Sequence, residues 1–176
     1  MRLFVGINFE DKQQNQLLKM QAAFLPHMTN GRQTPVENLH CTLLFLGDTD
    51  SDKLGDITKK LAETAKRHSP FFTGFWDTAH FANGCTVVKL KCDKKFAALQ
   101  SDIENTLVTK QNEKGKFLPH VTLLRKSVFD MPFREVKKNV PIFNVPFEVR
   151  DFTLFLSEFT PEGMVYTPLT FFKLGV

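Results

Sequence analysis

The sequence predicts an α+β fold, with two pseudo-symmetric lobes whose antiparallel sheets face a central cleft and whose helices lie outside. Three observations predict it. Runs such as RLFVGINF, CTVVKLK and VYTPLTFFKL have the two-residue period and β-branched or aromatic content of half-buried strands. Leu54, Ile57, Leu61 and Ala65, and again Phe96, Leu99, Ile103 and Leu107, step at the spacing of one helical face. The wording H-x-T-L-L occurs twice, at residues 40–44 and 120–124, near half a chain length apart. A duplicated motif at that separation suggests a degenerate internal repeat. With 176 residues, a single domain over residues 1–176 is expected, built of two interleaved lobes that each supply one H-x-T.

The elements follow in order. RLFVGINF opens as a strand, and Asp11 with Gln14 resembles a capping box before a helix carrying Leu17, Leu18, Phe24 and Leu25, which Pro26 stops. Residues 26–38 are rich in turn formers and read as a loop into the HCTLLFLG strand. The Leu54 helix comes next. FFTGFWDTAHF and CTVVKLK flank an Asn-Gly turn and read as a hairpin, after which the Phe96 helix leads through a flexible QNEKGK into HVTLLR. Residues 126–146 show no sustained period and read as a surface connection or a very short strand. FEVRDFTLFLSEF and VYTPLTFFKL close the chain as strands joined by a Thr-Pro-Glu-Gly turn. Each half thus reads helix, H-x-T strand, strand pair, with an extra helix in the first.

Composition bounds the function. Hydrophobic residues at 42% and charged residues at 24% are ordinary for a globular chain and exclude extended disorder. Nineteen Phe against one Trp and one Tyr, mostly inside apolar runs, point to core packing before base stacking. A net charge of +4 is compatible with a polyanionic partner without requiring one. Cys41, Cys85 and Cys92 are odd in number and lack C-x-x-C spacing, so neither a disulfide framework nor a zinc site is expected, and a reducing cytoplasm is the natural setting. No run has the length of a membrane span and no export signal is read at the start, so no membrane partner is expected.

In a strand, residues i and i+2 share a face, so His40 projects with Thr42 and His120 with Thr122. If the lobes are related by a pseudo-twofold, two imidazoles and two hydroxyls meet across the cleft. Imidazoles titrate near neutrality, so one can accept a proton while the other donates one. The hydroxyls can donate to non-bridging phosphate oxygens and stabilise developing charge. No metal is required, because H-x-T offers one good ligand per strand and no carboxylate stands at ligand spacing.

With both motifs in place, the sequence resembles the 2H phosphoesterase superfamily, in particular its bacterial RNA 2′,3′-cyclic phosphodiesterase branch, also called 2′-5′ RNA ligase-like proteins. The resemblance spans nearly the whole chain: the RLFVGI opening, NLHCTLLFLG, FLPHVTLLR, and an ending with Ser157, Gly163, Tyr166 and Leu169. It implies a cleft enzyme without metal or nucleotide cofactor that opens a terminal 2′,3′-cyclic phosphate to a 2′-phosphomonoester. His40 would then be the proton donor to the departing 3′ oxygen, His120 the base that activates water, and Thr42 and Thr122 the phosphate holders. The reverse reaction, 2′-5′ ligation, needs the same groups with roles exchanged. The partner implied is RNA with a cyclic phosphate end, or a small cyclic-phosphate nucleotide, and a monomer is expected. The alternative class is a non-catalytic RNA-end or nucleotide binder using the same cleft.

Three further residues are candidates for substrate binding. Arg125 could supply charge-assisted bonds to phosphate, but strict alternation from His120 turns it to the opposite face, where a surface ion pair serves equally. Phe45 could wall a base pocket, yet alternation from His40 sends it toward the core. Tyr166 fits a family position, and a hydroxyl satisfied at a strand edge explains it as well. Arg2 could be a cleft-facing cation or a surface anchor. His27, His68 and His80 lack a threonine partner and are read as structural or solvated. The Lys59-Lys60, Lys94-Lys95 and Lys137-Lys138 pairs are read as solvated faces.

Overall fold

The computed structural model describes residues 1–107, 117–161 and 163–176. In chain order its elements are β1 (Arg2–Ile7), α1 (Asp11–Phe24), β2 (Met28–Gln33), β3 (Cys41–Asp48), α2 (Leu54–Lys66), β4 (Phe71–Thr73), β5 (Phe75–His80), β6 (Thr86–Leu90), α3 (Lys94–Leu107), β7 (His120–Phe129), α4 (Phe133–Val136), β8 (Phe147–Val149), β9 (Asp151–Thr160) and β10 (Gly163–Lys173). The main sheet runs β10-β9-β1-β3-β7-β6-β5 with β2 also on β7, and β4 pairs β8 in a separate ribbon. Every pairing is antiparallel.

The repeat read from the sequence is present but interleaved. α1 precedes β3 in the chain yet packs against β7, while α3 precedes β7 and packs against β3. The hairpins exchange in the same way: β5 and β6 follow β3 but extend β7, and β9 and β10 follow β7 but extend β1. Among the described residues the two half-sheets meet at a single paired position, Cys41 opposite Val121, with both side chains fully buried. Beneath the sheet, Leu17, Met20 and Phe24 of α1, Leu61 and Ala65 of α2, and Phe96, Leu99 and Ile103 of α3 pack on the inward residues of the strands. Burial also pushes the Cys41 thiol up to about 12, so this cysteine stays protonated and unreactive. Among the described residues no helix is long and apolar enough to cross a membrane.

Several expectations are corrected. The supposed loop 26–38 contains β2, an edge strand whose side chains are half-buried or exposed and which therefore carries no apolar alternation. The supposed connection 126–146 is partly strand, because β7 continues to Phe129, and it also holds α4. FFTGFW divides into β4 and β5, and FEVRDFT into β8 and β9. The capping box is not formed: Glu10 is the N-cap without a side-chain bond, and Gln14 Nε2 donates to Phe9 O at 3.0 Å. QNEKGK lies outside the described residues, as does Glu162 of the Thr-Pro-Glu-Gly turn.

The most informative departure is in the two motif strands. Along β1, Gly6 faces Thr42 but Val5 faces Leu44, so Leu43 is an extra residue. Along β6, Val87 faces Thr122 but Thr86 faces Leu124, so Leu123 is the extra one. These are β-bulges at equivalent positions, and a bulge lets two consecutive side chains share a face. Leu43 and Leu44 are both buried, as are Leu123 and Leu124. The doubled leucine in each motif thus feeds the core twice and resets the alternation beyond it.

The second bulge is held by a side chain from α1. Gln21 is 2% exposed, and its Nε2 donates to Leu123 O at 2.8 Å and Thr34 O at 2.9 Å, tying the end of β2 to β7. Replacing Gln21 with the similarly sized Leu removes that donor and strands a buried carbonyl. The expected loss is about 1–3 kcal/mol of stability, read as a lower urea midpoint at unchanged slope.

Candidate active site

The site is built on the Cys41–Val121 pair. Antiparallel pairing carried one residue to either side sets His40 across from Thr122 and Thr42 across from His120, all on the face opposite the two buried side chains. The imidazoles stand diagonal to each other across the strands, a separation of about 7–8 Å between neighbours of this kind. A phosphate fits between groups so spaced.

The two rings are held alike. His40 Nδ1 lies 2.8 Å from Asn38 O, and His120 Nδ1 lies 2.8 Å from Leu118 O, in each case the carbonyl two residues upstream. A carbonyl oxygen only accepts, so each Nδ1 carries hydrogen and each Nε2 is the atom left to exchange protons. Thr42 Oγ1 is 3.0 Å from His40 Nε2 and donates to it in the neutral ring. The Thr122 hydroxyl makes no hydrogen bond among the described residues.

The surroundings of the rings differ. His40 sits in an aromatic nest: Phe4 at 4.8 Å between centroids, Tyr166 edge-on at 5.0 Å and Phe155 at 6.1 Å. Gly6 makes room for it, since a Cβ there would stand 3.1 Å from Cys41 O and 3.4 Å from the His40 ring. His120 instead meets the edge of Phe81 at 5.3 Å and lies across from Lys89, whose ammonium is held by Asp77 at 2.7 Å and sits 4.6 Å from the Trp76 ring centre. Burial pulls the His40 pKa down from 6.5 to about 4; the bond to Asn38 O works against this, and the charges of Arg125 and His120 add to it.

The other candidates are sorted by the bulges. Phe45 and Arg125 occupy equivalent positions, three residues past Thr42 and Thr122, and each bulge turns its residue back to the cleft face. Phe45 is 62% exposed and its ring lies 5.8 Å from Phe4, which corrects the core placement expected from alternation. Arg125 makes no ion pair among the described residues, which corrects the surface-pair reading. Tyr166 joins the nest around His40. Arg2 is exposed across from Asp48 at the far end of β1. His27 pairs with Asp130, His68 with Asp102 and His80 with Thr86, all away from the cleft pair. Phe4, Phe155, Phe81, Gly6 and Asn38 were not singled out from sequence; Phe4 and Gly6 stand within the RLFVGI opening and Asn38 two residues before His40, while no local signal marked Phe81 or Phe155. No cluster of three or more His, Cys, Asp or Glu side chains able to hold a metal occurs among the described residues.

Comparison with known proteins finds relatives over nearly the whole chain. The model of the 2′-5′ RNA ligase superfamily matches residues 9–158. A curated protein of Escherichia coli K12 named RNA 2′,3′-cyclic phosphodiesterase is 31% identical over 96% of this chain and 93% of its own, and one of the same name from Thermus thermophilus is 28% identical over 99% and 90%. A crystal structure from Thermus thermophilus superposes with a TM-score of 0.81 at 28% identity, covering 99% of this chain and 98% of that one. The crystal structure of E. coli LigT complexed with 3′-AMP gives 0.78 at 25% identity, covering 98% and 97%.

The depressed pKa has a sign that can be measured. The unfolded chain binds a proton at residue 40 below about 6.5 while the folded chain resists until about 4, so this contribution is intact above pH 6.5 and fades as pH falls toward 4. Imidazole NMR titration is expected to show the His40 ring neutral at pH 6 in the free protein, and to show its pKa rise when inorganic phosphate is added.

Proposed function

This chain belongs to the 2′-5′ RNA ligase superfamily, and from that premise we propose that it hydrolyses RNA 2′,3′-cyclic phosphate ends to 2′-phosphomonoesters by two-histidine acid-base catalysis without a metal. The observation that carries the reading is the matched anchoring of the two rings, Nδ1 to an upstream carbonyl on both sides of one backbone bridge. It leaves each Nε2 clear of the backbone, and the reading sets the phosphate between them.

With the cyclic phosphate there, His120 Nε2 takes a proton from water as its oxygen bonds phosphorus. The P–O3′ bond breaks, and His40 Nε2–H protonates the departing O3′. The product carries a 2′-phosphate and a free 3′-hydroxyl, and proton transfer returns both rings to their starting states. Thr42 and Thr122 donate to non-bridging oxygens, and Arg125 adds a charge-assisted bond. Phe45 and Tyr166, with Phe4 and Phe155, form an apolar aromatic wall suited to the terminal base.

His40 must carry a proton to act as the acid, and in the free site it is neutral at pH 7. The anionic phosphodiester supplies the missing term, since a negative charge beside a half-buried imidazole favours its charged form. If His40 stays neutral with an anion bound, the roles exchange and it is the base. Ligation through a 2′-5′ bond takes the same course with an RNA 5′-hydroxyl in place of water, so that His120 Nε2 takes the hydroxyl proton and His40 protonates the departing O3′, the roles being kept rather than exchanged.

The test is incubation with an RNA ending in a 2′,3′-cyclic phosphate in the presence of a chelator. A 2′-phosphate end is expected, and His40→Ala or His120→Ala is expected to slow its formation about a hundredfold or more. Persistence of the cyclic end, with binding retained, would leave the non-catalytic reading standing. Activity lost to chelation and restored by zinc would replace the scheme with a metal-dependent one.

A further inference from the structure

We propose that Arg32 is a further substrate-binding residue, which takes the internucleotide phosphate preceding the cyclic end of an RNA strand together with Arg125, whose five guanidinium donors bridge that phosphate and the terminal one. The proposal rests on the RNA-end reading above and extends it from the terminal nucleotide to the next one.

The register of β2 on β7 places Arg32 directly across from Arg125. Directly opposed residues of an antiparallel pair share a face, with Cβ atoms about 4.5–5.5 Å apart, and like charges so placed repel. Neither guanidinium makes an ion pair or side-chain hydrogen bond among the described residues. By contrast, Arg67 is matched to Asp102, Arg150 to Glu148, and Lys89 and Lys137 to Asp77.

The fold does not let this pair drift apart. Gly31, with φ of +119°, presses so closely on β7 that a Cβ would stand 2.7 Å from the Ser127 Cα. Thr34 N donates to Leu123 O at 2.9 Å, and Gln21 bridges the same two residues through their carbonyls. Two unmatched cations are therefore held across from each other, Arg32 on the clamped edge strand β2 and Arg125 on β7, an arrangement that an anion between them relieves.

Position names the anion. Along one edge of β7, β3 holds Val121 and β2 takes over from Leu124 outward, so Arg32 continues the line that starts at the reacting groups. Arg125 lies near enough to His40 to lower its pKa, and Arg32 is the next residue out. A strand whose terminal phosphate sits between the histidines brings its preceding phosphate to this pair. The aromatic wall lies toward the other end of the cleft, past Thr42, leaving the cationic end for the backbone.

The experiment compares a nucleoside 2′,3′-cyclic monophosphate, which lacks an internucleotide phosphate, with a short oligoribonucleotide ending in the same cyclic group. Arg32→Gln is expected to raise KM for the oligonucleotide about tenfold or more at unchanged kcat, and to leave both constants for the mononucleotide alone. The slope of log affinity against log salt should shallow by about 0.7, the contribution of one single-strand phosphate contact, and Arg32→Lys should restore that slope. Because the variant relieves repulsion, its urea midpoint should hold or rise. Equal effects on both substrates, an unchanged oligonucleotide KM, or a fallen midpoint overturns the proposal. Anisotropy binding of a labelled oligoribonucleotide ending in 2′-phosphate reads the same affinity difference without turnover. An inactive wild type whose RNA binding still depends on Arg32 would sink the hydrolase reading and keep this one, and binding indifferent to Arg32 would do the reverse.

Discussion

One backbone contact organises the molecule: the antiparallel meeting of Cys41 and Val121, the only residue pair joining the two half-sheets among the described residues. Its neighbours on either side are a histidine and a threonine in both strands, so the local twofold of an antiparallel pair becomes the symmetry of the site. Pairing of wider extent would fill this face with more ladder residues, and a shorter one would leave the lobes unjoined. Burial of both central side chains sets which way the four polar ones must point.

Symmetry of the backbone is then broken by what surrounds each ring. Position 45 is an exposed phenylalanine and its equivalent, position 125, is an arginine, so the same bulge delivers an aromatic to one end of the cleft and a cation to the other. His40 is enclosed by Phe4, Phe155 and Tyr166, while His120 has one aromatic edge and an ion-paired lysine across the strand. A pair of like catalytic groups divides acid from base only through such differences in solvation and field.

The fold class, the helices α2 and α3 and the four motif side chains were legible because period and spacing are local properties of the chain. The faces of Phe45 and Arg125 were not, since a bulge is defined against a partner strand far away in sequence; the doubled leucines were its visible trace. β2 escaped notice because an edge strand held by backbone bonds and one buried glutamine needs no apolar pattern. Interleaving was equally hidden: the order of elements tells that there is a repeat, while which copy each hairpin joins depends on packing between distant segments.

That exchange of helices and hairpins has a consequence for how the protein comes into being. β1 at the start of the chain gains one of its two neighbours, β9, only when the final quarter of the sequence is present, and Tyr166 and Phe155 arrive with it. A polypeptide emerging from the ribosome thus holds an open edge on β1, and an unfinished pocket around His40, until residues 151–173 have been made. Sequence-distant closure of this sort is slow, and it makes the last hairpin the step at which an inert chain becomes a working one.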